Sequence, residues 1–196
     1  MARDLRRNTA VVVVVGPAIA IADGFTTVDD ATVASIDCGL KKAGTAGASI
    51  TLTASAGNND CTPTANMLGH YDQELTAGNL DTAGPLRISY LDVDVFLPFY
   101  EDFDVLVEPY YDRKYAVGGL VVSVTSAAQF IVDTGVAVND AYNGMSITLI
   151  DVTDGHRETR RVTDYIGSTK EVFVDRAFGF TPVANDIVAL GDSPYA

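Results

Sequence analysis

Tryptophan is absent from this 196-residue chain, cysteine and histidine appear twice each, and 13 Lys and Arg stand against 26 Asp and Glu. Each shortage closes a class. Two cysteines, Cys38 and Cys61, are too few for the disulfide framework of a small secreted domain. With no CxxC pair or Cys/His cluster they also form no zinc-binding pattern. Cys38 falls in an alternating apolar stretch and Cys61 in a polar loop, so two free thiols are expected ahead of a structural disulfide. His70 and His156 stand alone, and no GxSxG context for a nucleophile elbow exists. His156 reads as a solvated residue at a hairpin tip, His70 as a packed or half-exposed residue opening a strand. The formal net charge of −13 is spread along the chain, −8 through residue 116 and −5 beyond it. Such a chain repels a phosphate backbone, which disfavours nucleic acid as a partner. No apolar run approaches the roughly 20 residues that a membrane helix needs, so no membrane partner is expected.

What is present points to packed β-structure. Hydrophobic residues make up 47% of the chain and charged residues 20%, which supplies a core and excludes a disordered polymer. Val, Ile and Thr recur and Gly is plentiful, favouring strands and turns. Arg3, Arg6 and Arg7 followed by an apolar stretch ending in Ala20-Ile21-Ala22 have the outline of a secretory leader. The stretch is nevertheless β-branched at Val11, Val12, Val13, Val14 and Val15 and broken by Gly16-Pro17. That suits an N-terminal strand buried on both faces and then a turn. Five consecutive valines aggregate if left unpaired, so this strand needs cover from its own sheet or from a neighbouring subunit.

Further strands are expected at 32–38, 49–53 (Ile50 and Leu52 inward) and 67–75, with a long polar loop at 56–64. Thr76 is placed to cap one helical turn that Gly84 ends. Leu86, Ile88 and Tyr90 then alternate with Arg87 and Ser89. Over 91–112 acidic residues alternate with apolar ones, Asp92 and Asp94 before a break at Pro98, Asp102 and Asp104 after it, until Pro109. This reads as a hairpin or a sheet-switching pair with one wet, acidic face. Gly118-Gly119 marks a hinge. Beyond it, six short segments (120–124, 129–132, 145–152, 160–165, 171–174 and 186–190) separated by polar turns fit a small barrel or sandwich.

Carboxylate pairs at Asp29-Asp30, Asp92/Asp94 and Glu101-Asp102/Asp104 have the spacing a glycosidase needs. In so acidic a chain they read first as hydrated strand faces that discourage edge pairing. Asp92/Asp94 and Asn58-Asn59-Asp60 offer oxygen ligands without the spacing of a calcium loop. Gly44 and Gly47 lack the Gly-Lys-Ser/Thr ending of a phosphate loop. No catalytic, metal or cofactor residue is assigned.

Two sets of segments resemble recurring pieces of tailed-bacteriophage virion proteins of the fibre-, neck- and baseplate-anchoring type. The first runs from Leu5-Arg6-Arg7-Asn8-Thr9-Ala10 and the valine run to Ala22-Asp23-Gly24. It continues through Tyr71, Leu75-Thr76-Ala77, Asp81-Thr82-Ala83-Gly84 and Leu86-Arg87, and closes with Leu97-Pro98-Phe99 and Asp102-Phe103-Asp104-Val105. The second comprises Asp140 to Met145, Arg160-Arg161, Thr163 to Lys170 and Val174 to Ala177. The loop around 56–64 and the pair Cys38/Cys61 depart from the pattern. The resemblance implies a non-enzymatic virion component made in the host cytoplasm. It would act at the neck, tail or fibre anchor, as a homo-oligomer among other virion proteins. A capsid decoration protein touching the major capsid protein is an alternative, as is a glycan-binding module using Tyr110, Tyr111 and Tyr115.

The resulting expectation is an all-β chain: an N-terminal β-sandwich over 1–116 and a small C-terminal β-barrel or sandwich module over 117–196. The candidate contact residues are the five valines together with Phe96, Phe99, Tyr100, Tyr110 and Tyr111.

Overall fold

The computed structural model describes residues 2–54 and 58–191. The chain is all-β and forms two compact units, Met1–Val107 and Glu108–Ala196.

The first unit contains β1 (Arg3–Arg6), β2 (Val11–Val15), β3 (Asp37–Lys41), β4 (Ala48–Ile50), β5 (Cys61–Pro63), β6 (Tyr71–Leu75), β7 (Gly84–Asp92) and β8 (Phe96–Leu106). A five-stranded sheet has the order β1-β8-β7-β3-β4 and a three-stranded sheet the order β2-β6-β5. Period-two patterning sends Leu86, Ile88 and Tyr90 of β7 and Cys38 and Leu40 of β3 inward. They join Val13, Val15, Tyr71 and Leu75 of the smaller sheet in one core. Burial of each such side chain contributes about 1.5–3 kcal/mol. The outward set of the larger sheet is Asp37, Gly39 and Lys41 on β3, Arg87 and Ser89 on β7, and Tyr100, Asp102 and Asp104 on β8.

The second unit contains α1 (Glu108–Tyr115) and then β9 (Val117–Ser126), β10 (Gln129–Val132), β11 (Ser146–Ile150), β12 (Arg157–Ile166), β13 (Glu171–Val174) and β14 (Ile187–Leu190). The six strands close into a barrel in the order β10-β13-β12-β11-β14-β9, every pair antiparallel. β11, β12 and β13 form a meander and β14 returns to lie beside β11, a Greek key that the β9–β10 hairpin closes. Phe130, Ile147, Leu149, Tyr165, Val172, Val188 and Leu190 fill the interior without measurable exposure. Tyr142 and Tyr165 meet edge to face, centroids 4.8 Å apart. The Tyr142 hydroxyl donates to the fully buried Asp112 carboxylate of α1 at 2.5 Å and accepts from Val136 N–H at 3.0 Å.

Several sequence expectations are corrected. The valine strand buries only one face: Val13 and Val15 are in the core, while Val12 is 61% exposed. Residues 33–35 form a single 3-10 turn rather than part of a strand. Cys61 is a buried residue of the edge strand β5, not part of a polar loop, while Ala56 and Gly57 of that expected loop lie outside the described residues. Thr76 closes a turn with Asn79, its hydroxyl accepting from Asn79 N–H at 3.2 Å, and Gly84 opens β7 instead of ending a helix. Pro98 sits inside β8, where β1, which pairs only with Phe103 to Leu106, does not cover the strand's far edge. A proline is tolerated at such an uncovered edge. Pro109 falls in the first turn of α1, where its missing N–H costs nothing. Gly118-Gly119 is no hinge but part of β9. A Cβ on Gly119 would lie 2.5 Å from the Asp133 carboxylate, which accepts from Leu120 N–H. The boundary between units accordingly falls before α1, at Val107/Glu108, instead of after residue 116.

Candidate interaction surfaces

Ten residues were expected at contacts on sequence grounds, and the fold separates them. Val13, Val15 and Phe96 are core residues of the first unit, so they are spent on internal packing. Phe99 is half-buried, stacked on Tyr90 at 4.8 Å. Val11 and Val14 are half-buried, and Val12 alone presents the valine run outward. Tyr100 is exposed on the first unit; Tyr110 is exposed and Tyr111 half-buried on α1 of the second. Of the three tyrosines named for sugar stacking, Tyr111 and Tyr115 pack on each other, while Tyr110 is 58% exposed. Arg87 lies over the Tyr100 ring at 4.2 Å, and Tyr115 carries Lys114 at 5.2 Å and the Tyr111 ring at 4.6 Å.

Three of the acidic candidates and both histidines engage neighbouring groups. Asp92 is buried, accepting from the Ser35 hydroxyl at 2.6 Å and from Asp94 N–H at 3.2 Å. Asp60 accepts from the Thr53 hydroxyl at 2.5 Å. Asp102 forms a two-pronged pair with Arg87 at 2.7 and 2.8 Å, which holds its carboxyl below the usual range. His70 meets the Leu68 carbonyl at 3.0 Å, and His156 lies 3.2 Å from Glu158 and stacks near Phe180. Among the described residues no group of three or more His, Cys, Asp or Glu converges to hold a metal. Cys38 and Cys61 are free thiols in the core of the first unit, and burial pushes them up to about 12 and about 11.

The surface that sequence reasoning missed lies at one end of the first unit. Three loops, 16–27, 64–70 and 92–97, are stitched together there by backbone hydrogen bonds. Ala18 N–H donates to Gly69 O at 2.8 Å, Ile21 N–H to Val95 O at 3.1 Å and Leu97 N–H to Ile19 O at 2.8 Å. Large apolar side chains stand out of these loops into solvent: Phe25 at 77% exposure, Leu68 and Val93 at 67%, with Ile21, Met67 and Leu97 beside them. The loop bearing Phe25 is tied by side-chain hydrogen bonds. The Asp23 carboxylate accepts from Phe25 N–H at 3.0 Å, from Thr26 N–H at 2.9 Å and from the Thr26 hydroxyl. Those bonds, the Thr26 hydroxyl foremost, lower its affinity for a proton, so it stays ionised.

No Lys or Arg occurs in any of the three loops; the six cations of this unit are Arg3, Arg6, Arg7, Lys41, Lys42 and Arg87. Strand directions put Arg6, Lys41 and Arg87 at the other end. β3 and β7 pair Lys41 with Arg87 far from the 92–97 turn, and Arg6 pairs with Leu106 at the far end of β8. The apolar end therefore carries no Lys or Arg, and Asp23 and Asp94 stand exposed beside it. The signal that could have found it is the absence of any cation between Arg7 and Lys41 and between Lys42 and Arg87.

No protein-family model, no curated protein and no solved structure matches the chain. The likeness to phage virion modules rests on the motif residues alone.

Proposed function

We propose that this chain is a non-enzymatic structural component of a tailed-phage virion, an accessory protein of the neck, tail or fibre anchor assembled in multiple copies. The observation that carries this reading is the solvent-exposed apolar end of the first unit. Exposed apolar clusters of this kind, rimmed by polar residues, mark protein–protein contacts. The motif residues that the resemblance rests on build the two folds. Tyr71, Leu75, Leu86, Phe103 and Val105 are core residues of the first unit, and Tyr142, Tyr165 and Val174 of the second.

The test is quantitative mass spectrometry of purified particles from a lysate in which this chain is expressed, with antibody labelling to locate it. A fixed copy number that survives salt and gradient purification is the expected result. Absence of the chain from intact particles would overturn the reading.

A further inference from the structure

The outer face of the five-stranded sheet is hollowed, from Asp37 and Leu91 near the 92–97 turn to Lys41 and Arg87 at the other end of the strands. Two adjoining concavities of about 530 and 440 Å³ share Lys41 and Arg87. The larger exists because Gly39 and Gly47 carry no side chains: a Cβ on Gly39 would stand 2.7 Å from the Ser89 hydroxyl, and one on Gly47 would meet nothing. Its walls include Ala48 and Leu91. Arg87 is paired with Asp102, and Lys42 with Asp81 at 2.7 Å, while Asp37 and Asp104 stand farther along the hollows. Lys41 is exposed, with no ion pair among the described residues. One unit thus presents a preorganised apolar knob beside carboxylates at one end, and a groove with a free ammonium toward the other.

We propose that copies of this chain associate head to tail, the Phe25 knob of one seating in the Lys41–Gly47 groove of the next. This rests on reading the chain as an assembly protein and supplies one of its partners. Within the unit, the cation-free end finds its complement only where the cations are. Preorganisation matters energetically, because the Asp23-locked turn has little conformational freedom left to lose on binding. Such a contact uses two different patches, so it does not stop at a dimer. It closes into a ring or continues as a filament, as multi-copy particle parts do.

The experiment is sedimentation velocity on the full chain over a concentration series at low and high salt, with two surface variants and their mixture. Phe25→Asp blunts the knob, and Gly47→Trp fills the groove at a position with room for a side chain. The wild type is expected to give a graded series of oligomers that weakens with salt, since Asp23 and Lys41 are exposed. Each variant alone is expected to associate at least about 30-fold more weakly, the loss typical of an interface anchor. Mixed one to one, they are expected to form a dimer that grows no further, because each supplies the surface the other lost. Unchanged melting curves would show that both variants are folded. A wild type monomeric throughout overturns the proposal, as does association unaffected by either variant. So does a Gly47→Trp variant that still dimerises while Phe25→Asp does not, which signals knob-to-knob contact. A chain that is monomeric in solution yet present in purified particles would remove the self-contact and leave the virion reading standing.

Discussion

The two units manage sheet edges and buried polar groups in opposite ways. Every strand of the C-terminal barrel is paired on both sides, so that unit has no edge to protect. The sandwich leaves β1, β4, β2 and β5 as terminal strands. It blunts them with length and charge. β4 and β5 are three residues each, β1 reads Arg-Asp-Leu-Arg, and the Arg3 guanidinium donates at 2.7 Å to the Val14 carbonyl of the valine strand. Inside, the barrel bonds its buried polar groups: Asp112 to Tyr142, Tyr165 to Val136 O, and Asp186 to Val183 N–H at 2.8 Å. The sandwich keeps Tyr90 Oη and Gln73 Oε1 buried with no hydrogen-bond partner among the described residues, in a core that also holds two thiols. Closure and satisfied polar groups make the barrel the more stable body. Open edges and unsatisfied polar atoms make the sandwich the more adaptable one.

The strongest way to break this contrast is to hollow each core in turn. Phe130→Ala in the barrel and Phe103→Ala in the sandwich each remove a ring at 0–1% exposure and should cost about 3–5 kcal/mol. In differential scanning calorimetry we expect two transitions, the sandwich melting first, with each substitution lowering its own. A single transition moved equally by both would mean that the units unfold as one.

Alkali should separate the units next. The folded thiols of Cys38 and Cys61 hold their protons to about 12 and about 11, against 9.0 when exposed. Their stabilising effect is complete below pH 9. It is lost as pH climbs toward those values, at about 1.4 kcal/mol per pH unit for each thiol. In the barrel, burial raises Tyr165 from 10.0 to about 12, so its loss begins a unit later. Melting curves from pH 8 to 10.5 should show the sandwich falling first. The double variant Cys38→Ala, Cys61→Ala should flatten that fall, and an unchanged slope would mean other groups drive it.

How far this was legible beforehand follows the same division. Strands with strict alternation or clear turn residues were readable: Gln129–Val132 and Glu171–Val174 match their predicted bounds, and Leu86, Ile88 and Tyr90 face inward as expected. Misreadings came where a tertiary neighbour decides the meaning of a residue. Pro98 looked like a break because the sequence does not say that β1 leaves that edge of β8 uncovered. Gly118-Gly119 looked like a hinge because the sequence does not say that Asp133 crowds Gly119. The site was harder still. Phe25 is of a residue type that usually fills a core, and its exposure depends on three loops that are far apart in the chain. Charge was the exception: the cation-free stretches can be counted without a structure.

The finest comparison is between two buried tyrosine hydroxyls. Tyr142→Phe removes a hydroxyl that donates to buried Asp112 and accepts from Val136 N–H, leaving both groups short of a partner. The barrel should lose about 1–3 kcal/mol, read as a lower denaturation midpoint with an unchanged slope. Tyr90→Phe removes a hydroxyl with no partner among the described residues, while the ring still stacks on Phe99. Burial raises its proton affinity well above the usual range, so it enters the core neutral but undersatisfied. Deleting it relieves a desolvation cost, and the sandwich should gain up to about 1 kcal/mol or stay level. A loss at Tyr90 as large as that at Tyr142 would mean that its hydroxyl is bonded in solution, and that the sandwich interior is as fully satisfied as the barrel's.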